Sequence, residues 1–254
     1  MDIYQHFRKE EAPFIDKVIS WKEQVEQRYV PKLTDFLDPR EKKIIEMVIG
    51  NDSDIKIVAF GGSPHSERKR VIIAPYYEEI AEKDFQLTLL QASYPEKFIT
   101  IEHRDVLGAF LSLGMKRNKI GDIFVGDGMI QFITAEETGT YVLTNLNSIK
   151  KANIQLSSKP VSEFKLKETK WVEMDRTVSS LRLDAIIKEI HQISRKDASD
   201  YIRRLLVKVN FKVTDQTNFI VQEGDLFSVR GKGRSKLVKI NGKTKKDKWK
   251  ITIA

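Results

Sequence analysis

The sequence predicts an α+β protein of three domains. These are an N-terminal α/β domain over residues 1–77, a central split β-α-β domain over 78–160, and a terminal module over 181–254, joined by a connector over 161–180 whose stretch up to residue 177 reads alternatively as a final strand into the last module. Three observations support this. Apolar residues at helical spacing alternate with short apolar runs bounded by turn residues, the mark of mixed helix and sheet. A chain of 254 residues is long enough for two or three cores. Charge is also unevenly distributed. Residues 178–254 hold 18 Lys+Arg against 8 Asp+Glu, a net of +10, whereas residues 1–177 carry a net of −2.

In the first domain Phe14, Val18, Trp21, Val25 and Tyr29 fall on one side of a helix that Pro13 can start. Asp38-Pro39-Arg40-Glu41 is a capping-box arrangement, and Ile44, Ile45 and Val48 continue it as a buried stripe ending at Gly50. Ile55–Phe60 and Val71–Ala74 read as strands around a glycine-rich basic loop. That loop lacks the G-x-x-x-x-G-K-[ST] spacing that orients amides about a nucleotide, so a turn is the simpler reading. Arg68, Lys69 and Arg70 are kept as secondary candidates for a phosphate contact.

In the central domain Phe85–Ala92 and Phe98–Ile101 are strand candidates, and His103 to Leu113 is a helix capped by Gly114. Ile123–Val125 and Met129–Ile133 form a hairpin about Asp127-Gly128. A second helix spans Glu136 to Ile149, and Ile154–Leu156 closes with a strand. Counted from Phe98 this is strand-helix-strand-strand-helix-strand, the ferredoxin-like plan used by many RNA-recognition domains and by unrelated proteins. Lys116, Arg117 and Lys119 follow a helix end and could meet a phosphate backbone, though cations also suit a helix C-terminus.

The terminal module opens with a stripe of Leu183, Ile186, Ile187 and Ile190. Ser194 caps a second helix from Arg195 to Leu206, whose Ala198, Ile202, Leu205 and Leu206 face inward. Arg195, Ser199 and Arg203 share a face, with Lys196 and Arg204 beside it. Val207 to Val213 alternates with period two and puts Lys208, Asn210 and Lys212 on one side. Gly224-Asp225 turns the chain into a strand over Leu226–Arg230, followed by the basic loop of Lys232 and Arg234 and a basic tail, Lys243 to Lys250. The predicted RNA contacts are Arg182, Ser194, Arg195, Lys196, Arg203, Arg204, Lys208, Asn210, Lys212, Arg230, Lys232 and Arg234, along one groove between helix and hairpin. Guanidinium forks suit phosphate oxygens. Sparse aromatics (Tyr201, Phe211, Phe219) favour recognition of structured RNA by backbone and shape over base stacking.

Four elements in order, R-L-D (Arg182 to Asp184), S-R-x-x-A (Ser194 to Ala198), V-K-V-N (Val207 to Asn210) and G-D (Gly224, Asp225), resemble the RNA-binding domain named after ribosomal small-subunit protein four, the S-four or αL domain. Glu67 to Arg70, His103 to Ala109, Ser112 to Ile123 and Ser228 to Arg234 are similar to YlmH-type proteins over nearly the whole chain. That resemblance implies a central RNA-recognition-like domain and a terminal S-four-like one. It further implies binding to the large ribosomal subunit in ribosome-associated quality control, with peptidyl-tRNA still attached, and an association with cell division. One departure is Leu206, where many S-four domains have glycine.

Composition narrows the alternatives. There are no cysteines, which removes disulfides, thiolate catalysis and cysteine-based zinc sites. No apolar run approaches the roughly 18 residues of a membrane span, and Met1 to Phe14 has no signal-peptide core, so a cytoplasmic protein without membrane insertion is expected. An anionic membrane surface competes with nucleic acid as partner of the basic end. The rival function is an RNA-modifying enzyme such as a pseudouridine synthase, which uses an R-L-D aspartate. Here R-L-D opens the binding module itself, so Asp184 is expected to order its first helix. His103-Arg104-Asp105 matches a kinase tripeptide without the other kinase signatures, and His6, His65, His103 and His191 form no evident grouping. No catalytic residue, metal or cofactor is expected, and the protein should be a monomer.

Overall fold

The computed structural model describes residues 3–50, 52–166 and 171–254. The chain divides into two compact units, 1–168 and 169–254. Residues 167–170 of the expected connector lie outside the described residues.

In the first unit, helix α1 (Ala12–Arg28) has Pro13 in its first turn and buries Ile15, Val18 and Val25. Tyr29 leaves the expected stripe: it ends the helix at φ 55 and is exposed. Helix α2 (Pro39–Ile49) carries the complete capping box. The Asp38 carboxylate accepts the Glu41 amide at 2.8 Å, and the Glu41 carboxylate accepts the Asp38 amide at 2.8 Å. A short strand β1 (Lys32–Leu33), not foreseen, joins β2 (Ile55–Phe60) and β3 (Arg70–Pro75) in an antiparallel sheet of order β1-β3-β2. The helices cover it through Val18, Val25, Ile45 and Ile49, which pack with Val71 and Ile73.

The central sheet has the order β5-β6-β4-β9, with β4 (Leu87–Ser93), β5 (Ile120–Gly126), β6 (Met129–Ala135) and β9 (Ser157–Lys159). With α3 (His103–Ser112) and α4 (Glu136–Asn145) it gives the split β-α-β plan. A two-residue ribbon, β7 (Ser148–Ile149) with β8 (Ala152–Asn153), replaces the expected last turn of α4. Two strands differ from expectation. The first is Leu87–Ser93; Phe98 is 89 % exposed in a loop. The last is the polar Ser157–Lys159, held by backbone bonds beside β4, while Ile154 and Leu156 fill the core from outside any strand. Asp127 and Gly128 turn the β5–β6 hairpin at φ 54 and 66, the left-handed pair of a type I′ turn.

One face of this sheet takes α3 and α4 through Leu90, Phe132, Val106, Phe110 and Val142. The other is covered across its middle. Phe36 from the N-terminal domain and Phe164 from the segment after β9 cover Leu89, Ile133 and Ala135. Gln131 pins that segment, donating to the Glu163 carbonyl at 3.1 Å and accepting the Lys165 amide at 2.8 Å.

The second unit is one six-stranded sheet of order β10-β15-β14-β13-β11-β12. Its strands are β10 (Met174–Val178), β11 (Val207–Val209), β12 (Lys212–Val213), β13 (Leu226–Val229), β14 (Gly233–Lys243) and β15 (Trp249–Ile253). Helices α5 (Leu183–His191) and α6 (Arg195–Arg203) cover one face, where Ile186, Ile187 and Ile202 meet Val207, Phe227, Leu237 and Ile251. One expectation is corrected. The stretch Val207 to Val213 is a hairpin, because Asn210 (φ 47) and Phe211 (φ 68) reverse the chain. The basic tail is the end of the β14–β15 hairpin, with Lys243 and Trp249–Lys250 in the strands and residues 244–248 turning between them. The end of the connector supplies the expected strand as β10, paired residue by residue with β15 from Met174↔Ile253 to Val178↔Trp249.

After α6 the left-handed residue is Leu205 (φ 58), not Leu206. A left-handed leucine is strained by roughly 1–2 kcal/mol. Leu205→Gly should therefore raise the stability of this unit by about 0.5–1 kcal/mol, less than the relief because glycine costs chain entropy. A denaturation midpoint that falls or stays put would remove the strain reading.

Candidate nucleic-acid interface

The first turn of α5 is built around Asp184, whose side chain is nearly fully buried. Arg182, the residue before the helix, donates from Nε to Oδ1 at 3.2 Å and from Nη2 to Oδ2 at 3.1 Å. Arg195, the first residue of α6, donates from Nε to Oδ2 at 3.1 Å. Burial alone would raise the Asp184 pKa, but the two guanidiniums outweigh it and hold the carboxyl below its ordinary value. The arginines keep 39 % and 53 % of their side-chain surface in solvent. A buried anion thus fixes one edge of each guanidinium and leaves the rest facing outward, an arrangement suited to phosphate.

Ser194 caps α6: its hydroxyl accepts the Asp197 amide at 3.0 Å and donates to the Asp197 carboxylate at 2.8 Å. Lys196 and Arg203 are exposed on α6. Arg204 lies on another flank of the helix, with Tyr201 and Lys232. Arg230 and Lys212 are exposed on the β13–β14 turn and on β12.

The expected single groove resolves into two faces. Val207 and Val209 of β11 point to the helices, so Lys208 points to the opposite face of the sheet. Register places Lys208 opposite Ser228, and Ser228 opposite Arg234, in one row across β11, β13 and β14. Lys236 and Lys250 are also exposed and lie out of phase with the buried Leu237 and Ile251, and beyond a bulge in β14 Lys239 pairs with Thr252, out of phase with Ile251, extending that outer face. Arg234 lies 5.7 Å from the centre of the Phe211 ring. The clue to Lys236 was the alternation of Arg234 and Lys236 with Ser235 and Leu237, interrupted by the expected basic loop, which took in Arg234.

Asn210 is a correction. It is buried, its Nδ2 donates to Asp225 at 2.7 Å and its Oδ1 accepts the Leu226 amide at 3.0 Å. The V-K-V-N and G-D motifs therefore hold each other, and this side chain is unavailable to RNA.

The basic residues of the first unit are corrected similarly. Arg68 and Arg70 are buried, donating to the carbonyls of Phe36 at 2.9 Å and Thr34 at 2.8 Å. Arg117 turns inward to the Ile120 carbonyl at 2.5 Å, and burial together with nearby Arg68 lowers its pKa to about 10. Asp122 accepts the Glu67 amide at 2.5 Å and the Arg68 amide at 3.3 Å; burial pushes its carboxyl up to about 6. Lys119 pairs with Asp35 at 2.5 Å and Glu137 at 2.8 Å. Lys69 is half-buried, its ammonium 3.3 Å from the Pro64 carbonyl. Both motifs thus build the junction between the N-terminal and central domains, and Lys116 is the exposed cation of its loop. Among the described residues no helix is long and apolar enough to cross a membrane.

Comparison with known proteins agrees with this architecture. Residues 10–78 match the family described as "YlmH, N-terminal", and residues 81–163 match "Putative RNA-binding domain in YlmH". The chain is 43 % identical over 252 residues to the Bacillus subtilis (strain 168) ribosome-associated protein quality control protein P2, covering 99 % of this chain and 98 % of that protein. It is similar to the solved structure of cell division protein ylmH from Streptococcus pneumoniae, with 30 % identity and a TM-score of 0.55 over 65 % of this chain and 99 % of that one. With its two N-terminal domains matched and a relative aligned from end to end, this chain belongs to the YlmH family.

Proposed function

We propose that the protein is a non-catalytic RNA-binding factor of ribosome-associated quality control, binding large-subunit ribosomal RNA and peptidyl-tRNA in the cytoplasm as a monomer. The observation that carries this is the Arg182–Asp184–Arg195 cluster: two guanidiniums, oriented by a buried carboxylate, in the segment that holds the chain's excess positive charge. Lys196, Arg203 and Lys208 supply further phosphate contacts. In the central domain Phe36 and Phe164 already occupy the middle of the sheet face away from the helices, which favours RNA contact through loops such as that of Lys116.

The rival enzymatic reading needs an aspartate that a substrate can reach. Asp184 is 3 % exposed, and both its oxygens accept from arginine, which supports an ordering role. The test is co-sedimentation with large ribosomal subunits across a salt series. Arg195→Ala with Arg203→Ala should lower affinity and shallow the log–log salt slope by about 2, roughly 0.9 for each phosphate no longer neutralised. An unchanged slope would remove α6 from the interface. Loss of an rRNA modification in cells lacking the protein, seen by mass spectrometry, would favour the enzyme.

A further inference from the structure

Helical spacing puts Asp197, Asp200, Tyr201 and Arg204 on a flank of α6 distinct from that of Arg195 and Arg203. With Leu206 and Lys232 they line an open pocket of about 380 Å³, within the size range of small-ligand sites. Its contents are odd for a surface that only attracts phosphate. Tyr201 is half-buried, packed on one side against the core. The Lys232 ammonium lies 5.7 Å from the centre of its ring. Lys232 sits between Gly231 (φ 78) and Gly233 (φ 96), and a Cβ on either would meet nothing within 4 Å, so the Lys232 side chain has open space around it. Two carboxylates share the pocket. Asp197 is engaged by the Ser194 hydroxyl, whereas Asp200 is exposed.

A carboxylate repels phosphate and offers acceptors only. Beside a stacking ring it calls for a flat ligand with adjacent donors. Among the bases guanine alone presents two neighbouring donors, N1–H and the N2 amino group, on its pairing edge. Adenine and cytosine place an acceptor beside their amino group, and uracil flanks its one N–H with carbonyls. We propose that this pocket takes an unpaired guanine of the bound RNA, stacked on Tyr201 with its two donors on the Asp200 carboxylate and its phosphate toward Arg204 and Lys232. Lys232 covers the ring in the free protein and moves aside for the base. The proposal rests on the RNA-binding reading and adds a base preference to it.

The test is a titration of the full-length protein with guanosine, inosine, adenosine, cytidine and uridine monophosphates, followed by amide NMR shifts around Tyr201 and Lys232. The guanosine nucleotide should bind about tenfold more tightly than the adenosine, cytidine and uridine ones, the discrimination expected of a bidentate contact. Inosine, lacking the N2 amino group, should fall between. Asp200→Asn should abolish the preference. If the five nucleotides bind alike, or Asp200→Asn tightens all of them, the carboxylate is only a charge and the proposal is wrong. Co-sedimentation with large subunits is measured separately. Retained sedimentation without guanine preference removes the pocket alone; guanine preference without sedimentation removes the ribosomal reading and leaves the pocket.

Discussion

Asp184→Asn should destabilise the terminal unit by about 2 kcal/mol, the scale of a buried hydrogen bond to a charged partner, and weaken RNA binding as well. The second effect opposes simple electrostatics. The substitution makes the protein more basic, so if charge alone governed binding the variant would bind more tightly. If the carboxylate works by holding Arg182 and Arg195 in place, the variant binds less tightly despite its extra charge. Filter binding at fixed salt decides between them. The pH dependence has a definite sign. The folded Asp184 pKa lies below its ordinary value of 3.8, so its contribution is complete above that value and is lost as pH falls through the lowered one. Wild type and variant should therefore converge in stability on acidification below about pH 4.

Phe36→Ala should cost the first unit about 4 kcal/mol, the usual range for a fully buried phenylalanine. Phe36 lies in the N-terminal domain but packs with Leu89, Ile133 and Phe164 of the central one. Its amide donates to the Asn118 carbonyl at 2.9 Å, and its carbonyl accepts from Arg68. A Cβ on Gly121 would come within 2.7 Å of its ring, so the space is already filled. Hydrogen exchange in the full-length variant should show β3 and β6 losing protection together. Loss confined to β1–β3 would show that the two domains do not share this core.

What the sequence revealed depended on whether the signal was local. The capping box at Asp38 and the turn at Asp127-Gly128 were legible because each needs only a few adjacent residues of the right chemistry. The split β-α-β plan was legible in order but not in its ends. Its last strand, Ser157–Lys159, and in the second unit Met174–Val178 are largely polar edge strands, held by backbone bonds that leave no apolar alternation. The direction of charged side chains was not legible. Arg68, Arg70 and Arg117 look like surface cations, because arginine is seldom buried, and here each finds a backbone carbonyl inside. Asn210 was misplaced because period-two spacing continued through a turn that only its left-handed φ discloses. The Asp184 reading needed no distant contact beyond the R-L-D position, and the geometry supports an ordering role.

The pairing of β10 with β15 bears on how the terminal unit is made. Its first strand finds its sheet partner only in its last, with Asp175 opposite Thr252 and the Thr252 hydroxyl donating to the Asp175 carboxylate at 2.7 Å. Everything between, including both basic faces, is synthesised before that pairing can form. Contacts so distant along the chain slow folding. A nascent chain would hold its polyanion-attracting helices in a half-built sheet until β15 had emerged, and a frameshift that removed β15 would leave Val178 and Leu237 without their partners. Pairing of β15 with both β10 and β14 is in this way the step that closes the sheet under the helices.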